Sequence, residues 1–274
     1  MPPNERPQTL EITLPQGELF NPALLLNAAE RTTFLVSVLL NYEQVYFTLD
    51  GQEGLLHEVI VESGGDLELP FSVRVDEPGW HDLIVLGFAD PYNNSTDVQY
   101  RMSGSSAQLV GRRLFLNVEG ADIVHNSLST PLSGTPIPEN VSLGFRANFA
   151  TMPSDHQSHP SELERQLYVD SGQAGTNYSY QLWLANMDTV NEANYALVLF
   201  HNFQQSLVGA DKAVAVHLSP GEEAILDIIT RLDGQPGVNQ IQAVFIYDPY
   251  KSVLHQDVWL PFVYSTIRMA VVGE

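Results

Sequence analysis

Apolar and polar residues alternate with a period of two through most of this chain, and no stretch carries the period of an amphipathic helix. The clearest run is Leu67, Leu69, Phe71, Val73 and Val75, interleaved with Asp66, Glu68, Pro70, Ser72, Arg74 and Asp76. Successive side chains on a strand point to opposite faces, so the pattern predicts a strand buried on one side. A matching run in the second half sets Ala224, Leu226, Ile228 and Leu232 against Glu223, Asp227 and Arg231. Alternation also predicts strands at 34–40 and 178–184, each preceded by a shorter apolar stretch, 24–26 and 167–169. Closing strands are expected at 114–120 and 267–273.

These elements recur in a fixed frame. Pro78-Gly79 is followed after ten residues by Asp90-Pro91-Tyr92, and Pro236-Gly237 after ten by Asp248-Pro249-Tyr250; the separation is 158 in both places (236 − 78 and 248 − 90). Between each Pro-Gly and its Asp-Pro lies an apolar stretch, 80–89 and 238–247. Proline has no amide donor and a fixed φ, so each Asp-Pro is expected to end a strand. About seven short strands per copy, joined by turns, predict an all-β chain of two tandem immunoglobulin-like antiparallel β-sandwiches, with a barrel as the structural alternative. A Ser-, Thr-, Pro- and Gly-rich stretch separates the copies. The domains are therefore expected at 1–120 and 139–274, with a linker at 121–138.

The second copy carries Pro220-Gly221-Glu222, an alternating strand at 224–232, Pro236-Gly237, and an apolar strand at 244–249 ending in Asp248-Pro249. This order resembles the CARDB (cell-adhesion-related) β-sandwich domains of bacteria and archaea. The first copy follows it with Gly64-Gly65-Asp66 at the first turn. The resemblance implies an extracytoplasmic, non-catalytic module.

Charge narrows the partners. Twelve Lys and Arg stand against 33 Asp and Glu, a net charge of −21, which argues against nucleic acid or an anionic membrane surface and leaves a protein or polysaccharide partner. No apolar run approaches the roughly 18 residues of a membrane span. The absence of cysteine removes disulfides, thiolate metal sites and cysteine nucleophiles. Residues 1–7 show no apolar signal core, so a signal or anchor for an extracytoplasmic location is expected outside this chain, with a cytoplasmic location as the alternative.

Candidate chemistry is sparse. Asp90 and Asp248 can be read as paired functional carboxylates or as turn residues, since Asp followed by Pro suits a type I turn. Asp90, Asn93, Asn94 and Asp97 form the densest oxygen set, a candidate for calcium, which takes six to eight hard oxygen ligands; no other cofactor is expected. Asp155, His156, His159 and Glu162 form the one histidine cluster, a candidate for zinc or for a zinc-dependent hydrolase. Trp80, Trp183 and Trp259 could supply a sugar-stacking surface, with Trp183 expected to face outward from its strand. Glycosylation sequons occur at Asn93, Asn94, Asn140 and Asn177. No Gly-x-Ser-x-Gly, phosphate loop or dinucleotide fingerprint is present. The expected function is a non-enzymatic binding, adhesion or spacer module, with a metal-dependent hydrolase and a calcium-stabilised adhesin as the alternatives.

Overall fold

The computed structural model describes residues 11–102, 109–122, 128, 132–137, 145–150, 167–188, 190–249 and 263–274. The chain is all-β, two immunoglobulin-like β-sandwiches, and one helical turn, α1 (Val98–Met102), stands among the described strands. Two compact units are not contiguous in sequence: unit 1 comprises Met1–Asp90, Leu109–Ser127 and Asp248–Val263, and unit 2 comprises Pro91–Gln108, Leu128–Tyr247 and Tyr264–Glu274.

Unit 1 contains β1 (Glu11–Leu14), β2 (Leu19–Phe20), β3 (Ala23–Ala28), β4 (Thr32–Leu40), β5 (Glu43–Val45), β6 (Phe47–Leu49), β7 (Gln52–Gly54), β8 (His57–Val61), β9 (Gly65–Arg74), β10 (Gly79–Ala89) and β11 (Leu109–Val118). One sheet runs β1-β11-β10-β4-β5, with β8 also on β4; the other runs β2-β9-β6-β7, with β3 also on β9. The core lies between them, with Phe34, Val36 and Val38 of β4 and Leu83 and Val85 of β10 packed with Leu69, Phe71 and Val73 of β9 and Leu24 and Leu26 of β3. The alternation read along 66–76 is the observed burial of β9.

Unit 2 contains β12 (Thr135–Pro136), β13 (Phe145–Ala150), β14 (Val169–Gly172), β15 (Asn177–Asn186), β16 (Ala193–His201), β17 (Gln204–Ser206), β18 (Ala213–Leu218), β19 (Glu222–Arg231), β20 (Gly237–Tyr247) and β22 (Met269–Gly273); the short β21 (Val263–Ser265) pairs with β20. Its sheets run β14-β22-β20-β16-β17, with β18 also on β16, and β12-β19-β15-β13. Leu182 and Leu184 of β15 and Ile228 of β19 meet Leu197 and Leu199 of β16 and Ala243 and Phe245 of β20.

Pairing corrects the correspondence between the copies by one strand. The strand at 178–184 lies in β15, which pairs with β19 as β3 pairs with β9 (Leu184 opposite Ala224, Leu26 opposite Leu67). Its counterpart is therefore β3, and that of 34–40 is β16, which pairs with β20 as β4 does with β10. Likewise the stretch at 167–169 leads into β14, the counterpart of β1. Alternating leucines look alike on every strand of a sandwich, so only the ladder distinguishes them. Nor is every pair antiparallel: β1 runs parallel to β11 and β14 parallel to β22. In unit 1 the first strand joins the last, and in unit 2 β14, which follows β12 and β13, joins the last; in each the strands between them form the crossover that parallel pairing requires.

The apolar stretches before each Asp-Pro are continuous because their strands are buried on both faces. In β10, Leu83 and Val85 face the core, while Ile84, Leu86 and Phe88 on the other face are also fully buried; Val244 and Ile246 of β20 repeat this. Each strand ends where expected. Asp90 and Asp248 take left-handed φ values of 46° and 42°, which Asp tolerates better than most residues, and the Asp90 amide donates to Thr33 O at 2.9 Å before the chain turns at Pro91-Tyr92. Tyr250 lies outside the described residues.

Leu182 is fully buried and Leu25 is 57% exposed. Urea denaturation should find Leu182→Ala destabilised by about 2–5 kcal/mol, and Leu25→Ala within about 0.5 kcal/mol of the parent.

Candidate functional site

The second face of β10 is where polar chemistry concentrates in unit 1. Asp82 precedes Ile84 by two residues and shares its face; Arg113 lies directly opposite Ile84 on β11, so both side chains are on that buried face. Asp82 is fully buried and Arg113 is 4% exposed. Arg113 Nε donates to Asp82 Oδ1 at 2.5 Å and one terminal nitrogen donates to Oδ2 at 2.5 Å, a two-point contact that suits the planar guanidinium fork. The same terminal nitrogen donates to Asp248 O at 3.1 Å. Burial pulls the Arg113 guanidinium down, but the Asp82 carboxylate, with Tyr42 and Asp248, holds it above the ordinary arginine range.

The second Asp82 oxygen also accepts a hydrogen bond from the Tyr42 hydroxyl. Tyr42 gets there through a two-residue turn between β4 and β5, in which Asn41 and Tyr42 have φ of 50° and 69°. Two successive left-handed residues make the hairpin turn that matches strand twist, and a bulky aromatic rarely occupies the second position. Asn41 holds the turn: its Oδ1 accepts from the Asp82 amide at 3.0 Å and its Nδ2 donates to His81 Nδ1 at 2.9 Å. That leaves His81 Nε2 as the protonated nitrogen, donating to Glu77 O at 2.7 Å.

Unit 2 repeats the arrangement without the ion pair. Asn202 and Phe203 form the same turn (φ 47° and 66°) between β16 and β17, and Asn202 Oδ1 accepts from the Gln240 amide at 2.7 Å. Gln240 stands where Asp82 does, 158 residues on, and Arg268 takes the place of Arg113. Arg268 donates to Gln240 Oε1 at 3.3 Å and its guanidinium lies 5.1 Å from the centroid of Phe203, so an aromatic face replaces the Tyr42 hydroxyl. Gln240 Nε2 then donates to Pro91 O at 2.7 Å and to Asn94 Oδ1 at 2.9 Å.

The loop nominated for calcium is organised around a third arginine. Arg101, fully buried in α1, donates to Ser95 O at 2.8 Å, to Asn93 O at 3.3 Å and to Arg268 O at 3.1 Å. Burial pushes its guanidinium below the usual arginine range. Asn93 Oδ1 accepts from the Ser95 amide, Asn94 Oδ1 from Gln240, and Asp97 Oδ1 from the Gln99 amide at the start of α1. The structure thus places Asn93, Asn94 and Asp97 on one loop and uses their oxygens for turns, a cap and a neighbouring amide; Asp90 lies at the end of β10. The zinc candidates Asp155, His156, His159 and Glu162 lie outside the described residues, and among the described residues no three His, Asp or Glu side chains gather as a metal site.

The tryptophans are also committed. Trp183 is on the face opposite Leu182 and Leu184, yet it is 3% exposed and its indole donates to Glu223 Oε2 at 2.7 Å, which corrects the expectation that it faces outward. Trp80 stacks on Phe115 with centroids 5.1 Å apart and donates to Asp122 at 3.0 Å. Trp259 lies outside the described residues. A depression in unit 2, lined by Asn148, Phe149, Leu167, Tyr168, Thr266 and Ile267, holds about 10 Å³, room for a single water.

Two signals of the polar clusters stand in the sequence. Asn41-Tyr42 and Asn202-Phe203 each pair Asn with an aromatic, 161 residues apart (202 − 41). Asp82 and Gln240 each stand three residues after the glycine of a Pro-Gly pair.

No protein-family model matches the chain, and no curated protein matches it. Solved structures resemble it at the level of fold. A CARDB domain from Pyrococcus furiosus, determined with di-metal ions, is 15% identical over 47% of this chain and 94% of that one, with a TM-score of 0.30. A family 123 glycoside hydrolase from Clostridium perfringens is 6% identical over 48% of this chain and 27% of its own, also at 0.30, and the MSP-domain-like protein SSP-19 of Caenorhabditis elegans is 19% identical over 40% and 95%, at 0.24.

Removing one partner of a buried ion pair leaves an uncompensated charge, whereas replacing both with apolar groups does not. Asp82→Ala should lose about 3–5 kcal/mol in urea denaturation, and the double variant Asp82→Leu/Arg113→Met should recover most of that loss.

Proposed function

We propose that the chain is a non-enzymatic, extracytoplasmic binding or adhesion module, in which two β-sandwiches present their loops and strand edges to a partner. The observation that carries this reading is the state of Asp82. It belongs to the carboxylate–guanidinium–phenol grouping that most resembles catalytic machinery, yet its oxygens are bonded to Arg113 and Tyr42 at full burial. A general base needs a free lone pair within reach of a substrate proton. Arg101 and Arg268 are likewise buried and bonded to carbonyl oxygens and an amide of their own unit. The polar groups brace the scaffold and leave the surface to do the binding.

A partner for a surface this acidic is a protein or polysaccharide of neutral or positive charge. Protease added to intact cells of the source organism should cleave the chain, while a cytoplasmic control stays whole; protection until lysis overturns the extracytoplasmic placement. Purified protein should turn over no chromogenic ester, phosphate or glycoside, with or without added zinc. Turnover that His156→Ala or His159→Ala abolishes would establish the hydrolase instead. With its loop oxygens engaged by Arg101, the 93–97 segment should give no rise in melting temperature on addition of millimolar calcium, and a marked rise would favour the calcium-stabilised adhesin.

A further inference from the structure

Among the described residues the two copies differ at one sheet edge. In unit 2, β15 is paired on one side with β19 and on the other with β13, which covers it antiparallel from Ala150 opposite Gln181 to Phe145 opposite Asn186. In unit 1, β3 corresponds to β15, with Leu24 and Leu26 at the positions of Leu182 and Leu184. Among the described residues β3 has a ladder on its β9 side only.

The open side can be assigned group by group. Pro22 O accepts from Phe71 N and Ala28 O from Gly64 N, so the even-numbered residues turn their backbone groups toward β9 and its flanking turn. With a period of two, the N–H and C=O groups of Ala23, Leu25 and Asn27 point away from β9. None of these six groups has a hydrogen-bond partner among the described residues. The strand reads Ala-Leu-Leu-Leu-Asn-Ala, with no charge, proline or bulge of the kinds that normally blunt an edge. Leu25 is 57% exposed on it.

We propose that the β3 edge is a strand-addition site that takes an extended, antiparallel segment of a partner protein, apolar at positions opposite Leu24 and Leu26 and basic at positions opposite Leu25 and Asn27. The inference rests on the reading of the chain as a binding module, and it names the edge and the partner's chemistry. The pattern is that of β13 itself: Phe149 and Ala147 lie opposite Leu182 and Leu184 and pack into the core, while Asn148 and Arg146 lie opposite Trp183 and Ala185. The call for positive charge comes from the row beside the edge. Glu68 is paired with Leu25 and Asp66 with Asn27, both acids exposed, about one strand spacing of 4.8 Å further in and within reach of a Lys or Arg side chain. Main-chain bonds supply affinity in this mode of recognition and the alternating side chains supply selectivity.

A capped peptide with the sequence of Phe145–Ala150 is a direct probe. Titrated into the full chain, it should shift the amide resonances of Ala23, Leu25 and Asn27 saturably. The same peptide N-methylated at alternate residues should not. Leu25→Pro removes an outward-pointing N–H and no ladder bond, so the protein should keep its melting temperature and bind about tenfold or more weakly. Should that variant fail to fold, the N-methylated peptide still decides. Absence of saturable shifts, shifts mapping elsewhere, or equal binding of the N-methylated peptide overturns the proposal. So does sedimentation showing a dimer that Leu25→Pro dissolves, because a second copy would then occupy the edge. A chain that is exposed on cells and inert toward substrates but ignores the peptide overturns the edge alone; one that hydrolyses a substrate yet takes the peptide overturns the module reading and keeps the edge.

Discussion

A polar side chain on a strand buried on both faces is costly unless its hydrogen-bonding atoms find partners in the protein. That constraint governs β10 and β20. On the second buried face, near the Pro-Gly end, β10 carries Asp82 and β20 carries Gln240 and Gln242, while the core face begins with His81 or Asn239 before it turns apolar; Gln242 Oε1 finds no partner among the described residues. What surrounds Asp82 and Gln240 follows from satisfying them. The Asn-aromatic turn must place its amide against the strand, an arginine must arrive from the neighbouring strand, and the loop backbone must offer carbonyls to whatever donors remain.

The two copies meet the constraint by different chemistry on one geometry. Unit 1 uses opposite charges and a phenol. Unit 2 uses a neutral amide, an aromatic face and the carbonyls and amide oxygen of the 91–97 segment. Arginine suits both, because its five donors and weak hydration let one guanidinium satisfy several acceptors at once. The ionic version is the more sensitive to loss of a single partner, since a deep charge left behind has no solvent to fall back on. The amide version distributes the same task over more, weaker bonds.

The frame of the fold was legible in the sequence, and its contents were not. The alternation at 66–76 and the Pro-Gly to Asp-Pro spacing identified β9, β10, β19 and β20 with their ends, because side-chain period and proline are local properties of the chain. Assignment of 178–184 to the wrong counterpart shows the limit: leucine alternation gives a strand its faces and says nothing of its neighbours. Trp183 was misjudged for a related reason. Its parity placed it correctly on the face opposite the core, but the ring is buried there and its indole donates to Glu223. Arg101, Arg113 and Arg268 carried no local mark of burial. In a chain this acidic, scarce arginines invite the reading of solvated surface charge, and only long-range pairing reveals them as interior. The oxygen-rich 90–97 loop looked like a cation site for the same reason: its cation is a side chain of its own chain, several residues further along.

The parallel pairing that closes each unit, β1 on β11 and β14 on β22, has a mechanical side. Tension applied at the two ends of β1 and β11, or of β14 and β22, acts along the strand axes and across the hydrogen bonds between them. Bonds loaded in that direction share the force and must give way together, whereas a hairpin pulled from its open end parts one bond at a time. Each sandwich is therefore closed by a seam that resists being drawn out lengthwise, the direction in which a tether between two surfaces is strained.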